Sequence, residues 1–324
     1  MSDLRRALAA RSTLLPGFAD PADADTLLRL LRLLYATGRA DLPLGRLLEG
    51  HVDALQIVHR YGDAAQRADA AAAVAGGGAF GVWNADLAGE PLRLADGRLT
   101  GGKSFASGAG LLSHALVGVE VEGGRQLLLL DLARTPPAVD RSFWRVAGMQ
   151  RSETHVVRWD GASVAPGDLI GAPGDYVREP WFSGGALRFA AVQAGGIAAL
   201  LDHSAAHLVA AGRAGDPHQA GRLAALYGLA EAATGAIRTA AAGWFADEAQ
   251  RLPLVAAARA AVYAAGGPAI ELAEQAVGVQ SLFADHPLAA AITDLSMYLR
   301  QPAPDTQRMI VGAAVAAGTL TPWL

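Results

Sequence analysis

The chain has 324 residues, of which 52% are hydrophobic and 18% charged. It is therefore long enough to bury a large core and too apolar to stay disordered. The formal net charge is -4 and no block of clustered Lys and Arg occurs, so we expect no nucleic-acid partner. The chain has no cysteine, which excludes disulfides, thiolate metal sites and cysteine nucleophiles and is compatible with the cytoplasmic location that we expect.

The first 75 residues predict helices only. Apolar side chains recur at helical spacing in two stretches, which contain Leu28, Leu31, Leu34 and Tyr35, and then Leu55, Val58 and His59. Pro43, Leu44 and Gly45 interrupt the first pattern, and a new helix is expected to begin there. We assign residues 1–75 to an N-terminal helical domain.

Residues 76–175 are rich in Gly, Pro and short alternating apolar runs. Residues 116–121 and 126–130 predict two strands around a turn. Residues 154–159 predict another strand, and Asp160 with Gly161 predicts a turn directly after it. We assign residues 76–175 to a small β domain.

Residues 176–324 return to a helical, Ala-rich pattern. Long periodic segments are separated by Gly215-Asp216-Pro217, by Leu252-Pro253 and by Gly266-Gly267-Pro268. Short connections favour antiparallel neighbours, so this region predicts an antiparallel helix bundle. Its apolar stretches are interrupted by Gly, Arg or His, and we expect no membrane partner.

Two glycine patterns match nucleotide-binding motifs without the structure that those motifs need. Residues 97–104 fit the phosphate-loop pattern, but Gly108 and Gly110 make a poor first turn for the helix that should follow. Residues 76–81 fit the dinucleotide pattern, yet they follow an Ala-rich helix instead of a strand, which indicates a helix stop. We predict no nucleotide triphosphate site and no Rossmann fold.

His203 and His207 lie one helical turn apart, a spacing that can place two imidazoles on one metal ion. No Glu lies between them in the metalloprotease pattern, and no third ligand is evident. We interpret them as ordinary helix-surface histidines and predict no metal site.

Several motifs, together with the order of helices, β domain and helix bundle, resemble the acyl-CoA dehydrogenase superfamily of flavoproteins. Residues 99–109 resemble the family segment L-x-G-x-K-x-W-I-T-N-x, and residues 148–154 resemble G-M-R-x-T-x-T. Residues 190–198 resemble the helix that opens the C-terminal bundle, and residues 275–278 resemble Q-x-x-G-G. The resemblance implies an α+β fold with a shortened N-terminal helical domain, a central small β-barrel or sheet domain and a C-terminal antiparallel helix bundle.

The resemblance also implies a flavin cofactor, FAD or alternatively FMN, and assigns residues to it. Phe105 would pack on the isoalloxazine ring, with Ser107 and Gly108 beside its reactive edge. Trp83 and Asn84 stand where the family has F-x-L-T-E-P against the pyrimidine side. The remaining assignments lie in the bundle: Arg213 on the pyrophosphate of a neighbouring subunit's FAD, Gln275 and Gly278 on its adenosine half, and Asp305 and Thr306 in the last flavin-contacting segment. A homodimer or homotetramer is implied.

The reaction class stays open, because the usual catalytic Glu falls at or near Pro302. The first hypothesis is oxidation of an acyl thioester such as an acyl-CoA, or of a related small molecule, by hydride transfer to flavin. The candidate bases are Asp294, Asp285, His286 and Glu274. The second is a flavin monooxygenase served by an electron-transfer partner or flavin reductase. Residues 300–302 resemble the His-Asn-Pro stretch of that branch, and His286 and Arg300 would stabilise an anionic substrate. The third is a non-catalytic relative.

Overall fold

A computed structural model describes residues 3–300 and 303–322. In these residues the chain forms helices α1 (Asp3–Ser12), α2 (Ala24–Ala40), α3 (Leu42–Tyr61), α4 (Ala64–Ala75), α5 (Trp181–Gly184), α6 (Ala186–Ala210), α7 (Pro217–Ala246), α8 (Glu248–Val277), α9 (Pro287–Tyr298) and α10 (Pro304–Ala316). The strands are β1 (Phe80–Trp83), β2 (Arg93–Ala95), β3 (Arg98–Ala106), β4 (His114–Val121), β5 (Gly124–Asp131), β6 (Ala138–Asp140), β7 (His155–Ser163) and β8 (Leu169–Ile170).

The contacts divide the chain into two compact units. Unit 1 contains the described residues within 1–20, 46–146 and 150–182, and unit 2 those within 21–45, 147–149 and 183–324. All eight strands belong to unit 1, and the long helices α6, α7 and α8 belong to unit 2. The domain boundaries at residues 75 and 175 stay a prediction.

Unit 1 is built on two four-stranded sheets. The first has the order β1-β4-β5-β8 and the second β2-β3-β7-β6, and every pairing is antiparallel except that of β1 with β4. The predicted hairpin is confirmed, since β4 pairs with β5 up to Val121 opposite Gly124. Apolar side chains of the first sheet, among them Phe80 and Leu116, pack with Leu55 and Val58 of α3 in one buried cluster.

The turn predicted at Asp160 and Gly161 is wrong, because both residues lie inside β7. Thr100 of β3 faces Asp160 and Leu99 faces Ala162, so Gly161 is the extra residue of a β-bulge. Its φ of 71° is one that glycine adopts without a steric penalty. A glycine that signals a turn in isolation is used here to bend a continuous strand.

The two glycine-rich motifs have the backbone that we inferred. Most of the residues that fit the phosphate-loop pattern lie in strand β3, so no helix follows the loop. Gly76 is the C-cap of α4, Gly77 has a φ of 79°, and β1 begins at Phe80. The second pattern therefore ends a helix and enters a strand.

Helix α6 is the apolar centre of unit 2. Residues Trp181–Ala210 are long and apolar enough to cross a membrane by length and composition alone, but 72% of their most apolar window is buried within the structure. Helix α2 approaches α6 closely, since a Cβ on Gly195 would lie 2.2 Å from the carbonyl oxygen of Tyr35. A core helix accounts for this composition.

The helix breaks predicted at Leu252-Pro253 and at residues 266–268 are wrong, because α8 is continuous from Glu248 to Val277. The break lies at Asp247, which caps α8 through a side-chain bond to the Ala249 amide. Gly266 is a packing residue: a Cβ there would lie 2.3 Å from Leu299. Tertiary packing outweighs the helix-breaking tendency of these residues.

Candidate functional site

A β-bulge in β3 turns Phe105 outward. Lys103 faces Val157 and Ala106 faces His155, so β3 holds one more residue than β7 over this interval. Phe105 has a φ of 52°, a left-handed conformation that is rare for an aromatic residue. Bulges of this kind re-aim a side chain next to functional sites. The local strain indicates that the position of this ring is selected for a purpose.

Phe105 belongs to an accessible aromatic cluster formed with Phe143 and Trp144. Its ring stands edge-on to both, at centroid distances of 5.2 Å and 6.3 Å and interplanar angles of 83° and 89°. Phe105 is 56% exposed and Phe143 is 38% exposed. Ordinary core packing therefore does not account for Phe105, and its ring offers an apolar surface to a flat ligand.

Ser107 ends a directional chain of hydroxyl groups. The Thr154 hydroxyl donates to Ser107 Oγ at 2.9 Å, and the Thr154 and Ser152 hydroxyls lie 2.7 Å apart. Because Thr154 has one hydroxyl hydrogen and uses it toward Ser107, Ser152 donates to Thr154. Within the described residues, the hydroxyl hydrogen of Ser107 has no acceptor. Ser107 is thus set to donate to a ligand.

Gly108 and Trp83 hold the backbone of Ser107 in place. The Gly108 amide donates to the Ser152 carbonyl at 2.9 Å, and its φ of 76° favours glycine. The Trp83 ring is buried, and its Nε1–H donates to the Ser107 carbonyl at 2.9 Å. Both predicted residues lie next to Ser107 in the structure, with Trp83 beneath the segment.

Asn84 joins a buried ionic network that contains the chain's only lysine. Lys103 is fully buried, and its Nζ lies 2.5 Å from Asp86 Oδ1 and 3.2 Å from the Asn84 carbonyl. Arg125 contacts the second oxygen of Asp86 at 2.7 Å. Burial lowers the pKa of Lys103, and this effect outweighs the charge of Asp86, which acts to raise it. Burial opposes ionisation of Asp86, but Lys103 and Arg125 outweigh it and lower the pKa of that carboxyl.

A second charged group, formed by Glu153 with Arg141 and His155, was missed from the sequence. Glu153 has a φ of 47°, and its carboxylate contacts Arg141 and lies 3.0 Å from His155 Nε2. Burial works against ionisation of Glu153, but hydrogen bonds from His155 and Arg141 prevail and lower the pKa of the carboxyl. The resemblance of residues 148–154 implied a fold element and no site residue. In the structure that segment supplies Ser152 and Thr154 to the hydroxyl chain and Glu153 to the charged group.

A buried Ser–His contact in unit 1 is structural. Ser12 Oγ lies 2.8 Å from His51 Nε2, and the Phe80 amide donates to His51 Nδ1 at 3.1 Å. Since Nδ1 accepts, the neutral ring carries its proton on Nε2 and donates to Ser12. Burial lowers the pKa of His51 to about 4. A general base needs a free lone pair at Nε2, so this pair does not activate a nucleophile.

Two of the predicted catalytic residues in unit 2 are held by backbone contacts. The Asp294 carboxylate accepts a hydrogen bond from the Met149 amide. Gly148 precedes it at a close approach, since a Cβ there would lie 1.9 Å from the Thr293 carbonyl oxygen. His286 caps α9, with Nδ1 accepting from the Leu288 amide at 3.2 Å. Its Nε2 lies 3.2 Å from His207 Nδ1, which commits both nitrogens of the ring.

The other predicted residues of unit 2 are exposed and pair locally where they pair at all. Arg213 is exposed beyond the end of α6. The pKa of His207 is lowered mainly by burial, then by the charge of His286, and least by the charge of Arg213. Gln275 bonds Glu271 at 3.0 Å on α8. The remaining positions are Gly278 at the C-cap of α8, Arg300 after α9, and Asp305 and Thr306 in the first turn of α10. Pro302 lies outside the described residues.

Comparisons with known proteins identify the fold. No family model matches the chain, and no curated protein matches it either. Glutaryl-coenzyme A dehydrogenase, solved with glutaryl-CoA, matches with a TM-score of 0.81 and 17% identity over 97% of this chain and 87% of that one. Dibenzothiophene monooxygenase (TdsC) from Paenibacillus matches with a TM-score of 0.78 and 18% identity over 99% of this chain and 97% of that one. KijD3, solved with FMN and a dTDP-linked sugar, matches with a TM-score of 0.76 and 22% identity over 98% of this chain and 86% of that one.

The chain therefore has the acyl-CoA dehydrogenase fold, as the motifs and the order of elements predicted. Dehydrogenases and a monooxygenase share this fold at similar scores, so the fold alone does not select the chemistry.

Proposed function

We propose that the protein is a flavin-dependent oxidoreductase. The observation that carries the proposal is the pairing of an exposed, bulge-mounted aromatic ring, Phe105, with the unused hydroxyl hydrogen of Ser107 two residues later. A flat cofactor ring can stack on Phe105, and a nitrogen or carbonyl at the edge of that cofactor can accept a hydrogen bond from Ser107. FMN in solved structures of TdsC and KijD3 supports the same cofactor class.

The donor set of unit 1 fits an isoalloxazine. Phe105 would cover the ring, Ser107 would donate at its reactive edge, and Asn84 would bond its pyrimidine side. A bound flavin supplies two-electron chemistry by exchanging a hydride with the substrate. The protein side of this chemistry is orientation of the ring and exclusion of water from its reactive edge. For the pyrophosphate we propose Arg213 of a neighbouring subunit. We propose FAD over FMN because Gln275 and Gly278 of that subunit would meet the adenosine half, which FMN lacks.

Purified protein tests the cofactor directly. We expect a yellow protein with flavin absorption near the usual maxima, or recovery of that absorption after mixing with FAD or FMN and desalting. Release of the bound cofactor and its chromatography then distinguish FAD from FMN. Failure of both saturating flavins to bind would leave only the third hypothesis, a non-catalytic member of this fold.

For the reaction, we first propose oxidation of an acyl thioester or a related small molecule. Such a reaction needs a base close to the substrate α carbon. The candidates Asp294 and His286 each accept a hydrogen bond from a backbone amide, which reduces their availability as bases. A structural neighbour solved with glutaryl-CoA supports the thioester as the first substrate to test.

The second candidate is a flavin monooxygenase, favoured by the commitment of both His286 nitrogens and of the Asp294 carboxylate. This chemistry needs no α-proton base. Arg300 would then hold an anionic group, and His286 would join it only after giving up its contact with His207. TdsC, solved with FMN and indole, supports a flat aromatic substrate for this reading.

One pair of assays distinguishes the two reactions. Anaerobic bleaching of the flavin by butyryl-CoA or glutaryl-CoA supports the dehydrogenase. Reduction only by an added NADH-dependent flavin reductase, followed by oxygen-dependent turnover, supports the monooxygenase. His286→Ala should retain flavin and lose turnover; full activity of that variant would remove His286 from the catalytic group.

We also propose that the protein is a homodimer or homotetramer. Large apolar side chains are exposed on the described helices of unit 2, among them Val209, Tyr227, Val279 and Met309. An interface between copies of the chain would cover such side chains. Light scattering coupled to gel filtration gives the mass, and a monomer at micromolar concentration would contradict the proposal.

A further inference from the structure

Arg125 of β5 holds the segment that follows β1 by three hydrogen bonds and makes a fourth to Glu120 of β4. Its Nε–H donates to Glu120 at 2.6 Å, and Nη2 donates to Asp86 at 2.7 Å. Nη1 donates twice to Asn84, to the backbone carbonyl at 3.0 Å and to the side-chain Oδ1. Four of the five guanidinium N–H groups are therefore used, three on Asn84 and Asp86 and one on Glu120.

The contact with Arg125 fixes which way the Asn84 amide points. A guanidinium only donates, so the Asn84 atom that faces Nη1 must be the oxygen. The amide nitrogen then points away from Arg125. Within the described residues, this nitrogen has no acceptor, and Asn84 is only partly buried. Asn84 thus presents two N–H donors and no acceptor to anything that binds beside it.

The remainder of the network makes this orientation rigid. Lys103 bonds the Asn84 carbonyl and Asp86, and the Ser104 hydroxyl donates to the Asp86 carbonyl at 3.0 Å. Lys103 lies two residues before Phe105 on β3, so one network ties the Asn84 segment to the bulge that carries the aromatic ring. Asn84 is the only asparagine and Lys103 the only lysine in the chain.

We propose that Arg125 is a positioning residue that makes Asn84 an obligate donor to an acceptor atom on the pyrimidine edge of the flavin. This inference rests on the proposed function and deepens it. Reduction of a flavin increases the negative charge on N1 and the C2 carbonyl of that edge, so N–H donors favour the reduced form. A donor backed by a guanidinium strengthens this preference. Arg125 would therefore raise the reduction potential of the cofactor without touching it.

Asn84→Asp is the decisive variant, because it keeps an oxygen toward Arg125 and replaces the outward donor with a charged oxygen. We expect thermal unfolding of the flavin-free protein to be unchanged or shifted upward, since the guanidinium now meets a carboxylate. The dissociation constant for flavin should rise at least tenfold, and the midpoint potential of the remaining bound flavin should fall. Ser163→Asp, which adds the same charge at the exposed end of β7, should leave both at the wild-type value.

The role of Arg125 is tested by a double-mutant cycle with Arg125→Gln and Asn84→Ala. Arg125→Gln alone should lower the potential, and it should lower it no further when Asn84 is already Ala. Equal shifts in both backgrounds would show that Arg125 does not act through Asn84 and would overturn the proposal. If Arg125→Gln does not fold, Arg125→Lys takes its place in the cycle, because it keeps the charge but lacks the paired donors of a guanidinium.

The outcomes separate this inference from the proposed function. Wild-type protein that binds neither FAD nor FMN overturns both. Wild-type protein that binds flavin, with an Asn84→Asp variant of equal affinity and equal potential, overturns only the donor role of Asn84.

Discussion

The two units treat their candidate cofactor residues differently. In unit 1, Ser107 and Asn84 are each oriented by a partner that is distant in sequence. In both side chains the oxygen accepts a hydrogen bond from that partner, and the O–H or N–H groups remain as donors for a ligand. In unit 2, Gln275 and Asp305 contact only residues three or four positions away on their own helices. Arg213 has no side-chain hydrogen bond within the described residues.

This difference separates preorganised recognition from recognition that depends on a second molecule. Hydrogen bonds that are already oriented lose little entropy when a ligand binds. Exposed long side chains such as Arg213 must be ordered at the moment of binding. We therefore expect unit 1 to recognise the flavin ring and unit 2 to contribute only when a phosphate or a second copy of the chain is present.

The largest expected effect is a pH dependence of stability that originates at His51 in unit 1. The folded pKa of His51 is about 4, below the ordinary value of 6.5. Well above pH 6.5 the ring is neutral in both states, and the stability is complete. As the pH falls toward 4, the unfolded chain gains a proton that the folded chain does not, and about 3 kcal/mol is lost.

Hydrogen exchange, corrected for intrinsic rates, measures this loss locally. Protection of α3 and β1 should fall between pH 7.5 and 5, whereas α7 and α8 serve as the internal reference. His51→Asn should flatten the response of α3 and β1, because its amide does not titrate. An identical loss of protection in both units would contradict the assignment to His51.

Phe105→Ala should weaken flavin binding by about 1–3 kcal/mol, because the variant removes the stacking ring from unit 1. Fluorescence quenching of free flavin gives the dissociation constant. Phe245→Ala, which removes an exposed Phe from α7 of unit 2, is the matched control and should leave the constant unchanged. Equal affinity for all three proteins would show that the ring binds elsewhere.

Arg213→Ala should weaken binding of FAD or FMN by about 1–3 kcal/mol if the guanidinium meets a phosphate. Riboflavin, which has no phosphate, should bind the variant and the wild type equally. If Phe105→Ala weakens riboflavin binding and Arg213→Ala does not, the two units recognise different parts of the cofactor. If Arg213→Ala weakens riboflavin binding as strongly as FMN binding, this division between the units is wrong.

Ser107→Ala should weaken flavin binding by about 1 kcal/mol through loss of one donor. Thr154→Ser retains the hydroxyl chain and should bind flavin with the wild-type constant, whereas Thr154→Val interrupts the chain behind Ser107. Titration calorimetry resolves differences of this size. If Thr154→Ser weakens binding as much as Thr154→Val, the hydroxyl chain is not what orients Ser107.

Much of the fold was predictable because its signals are local. The β4–β5 hairpin follows from alternating apolar residues around Glu122 and Gly123, and the helical regions follow from apolar residues at helical spacing. The predictions at Gly161 and Pro268 failed, because a bulge and a continuous helix depend on the neighbours that pack around them. Residues 99–109 resembled a flavin segment, and the structure places an exposed ring and a free donor there.

The sequence by itself determined which residues are aromatic, hydroxylic or apolar at local spacings. This was enough for the β4–β5 hairpin, for which regions are helical and for proposing Phe105 and Ser107 as cofactor residues. Only the tertiary structure decided that Phe105 stands on a bulge, that Thr154 donates to Ser107 and that Arg125 directs the Asn84 amide. Asn84 and Arg125 are 41 positions apart. Periodicity reaches a few residues along the chain, whereas a hydrogen bond across that separation exists only after the strands have paired.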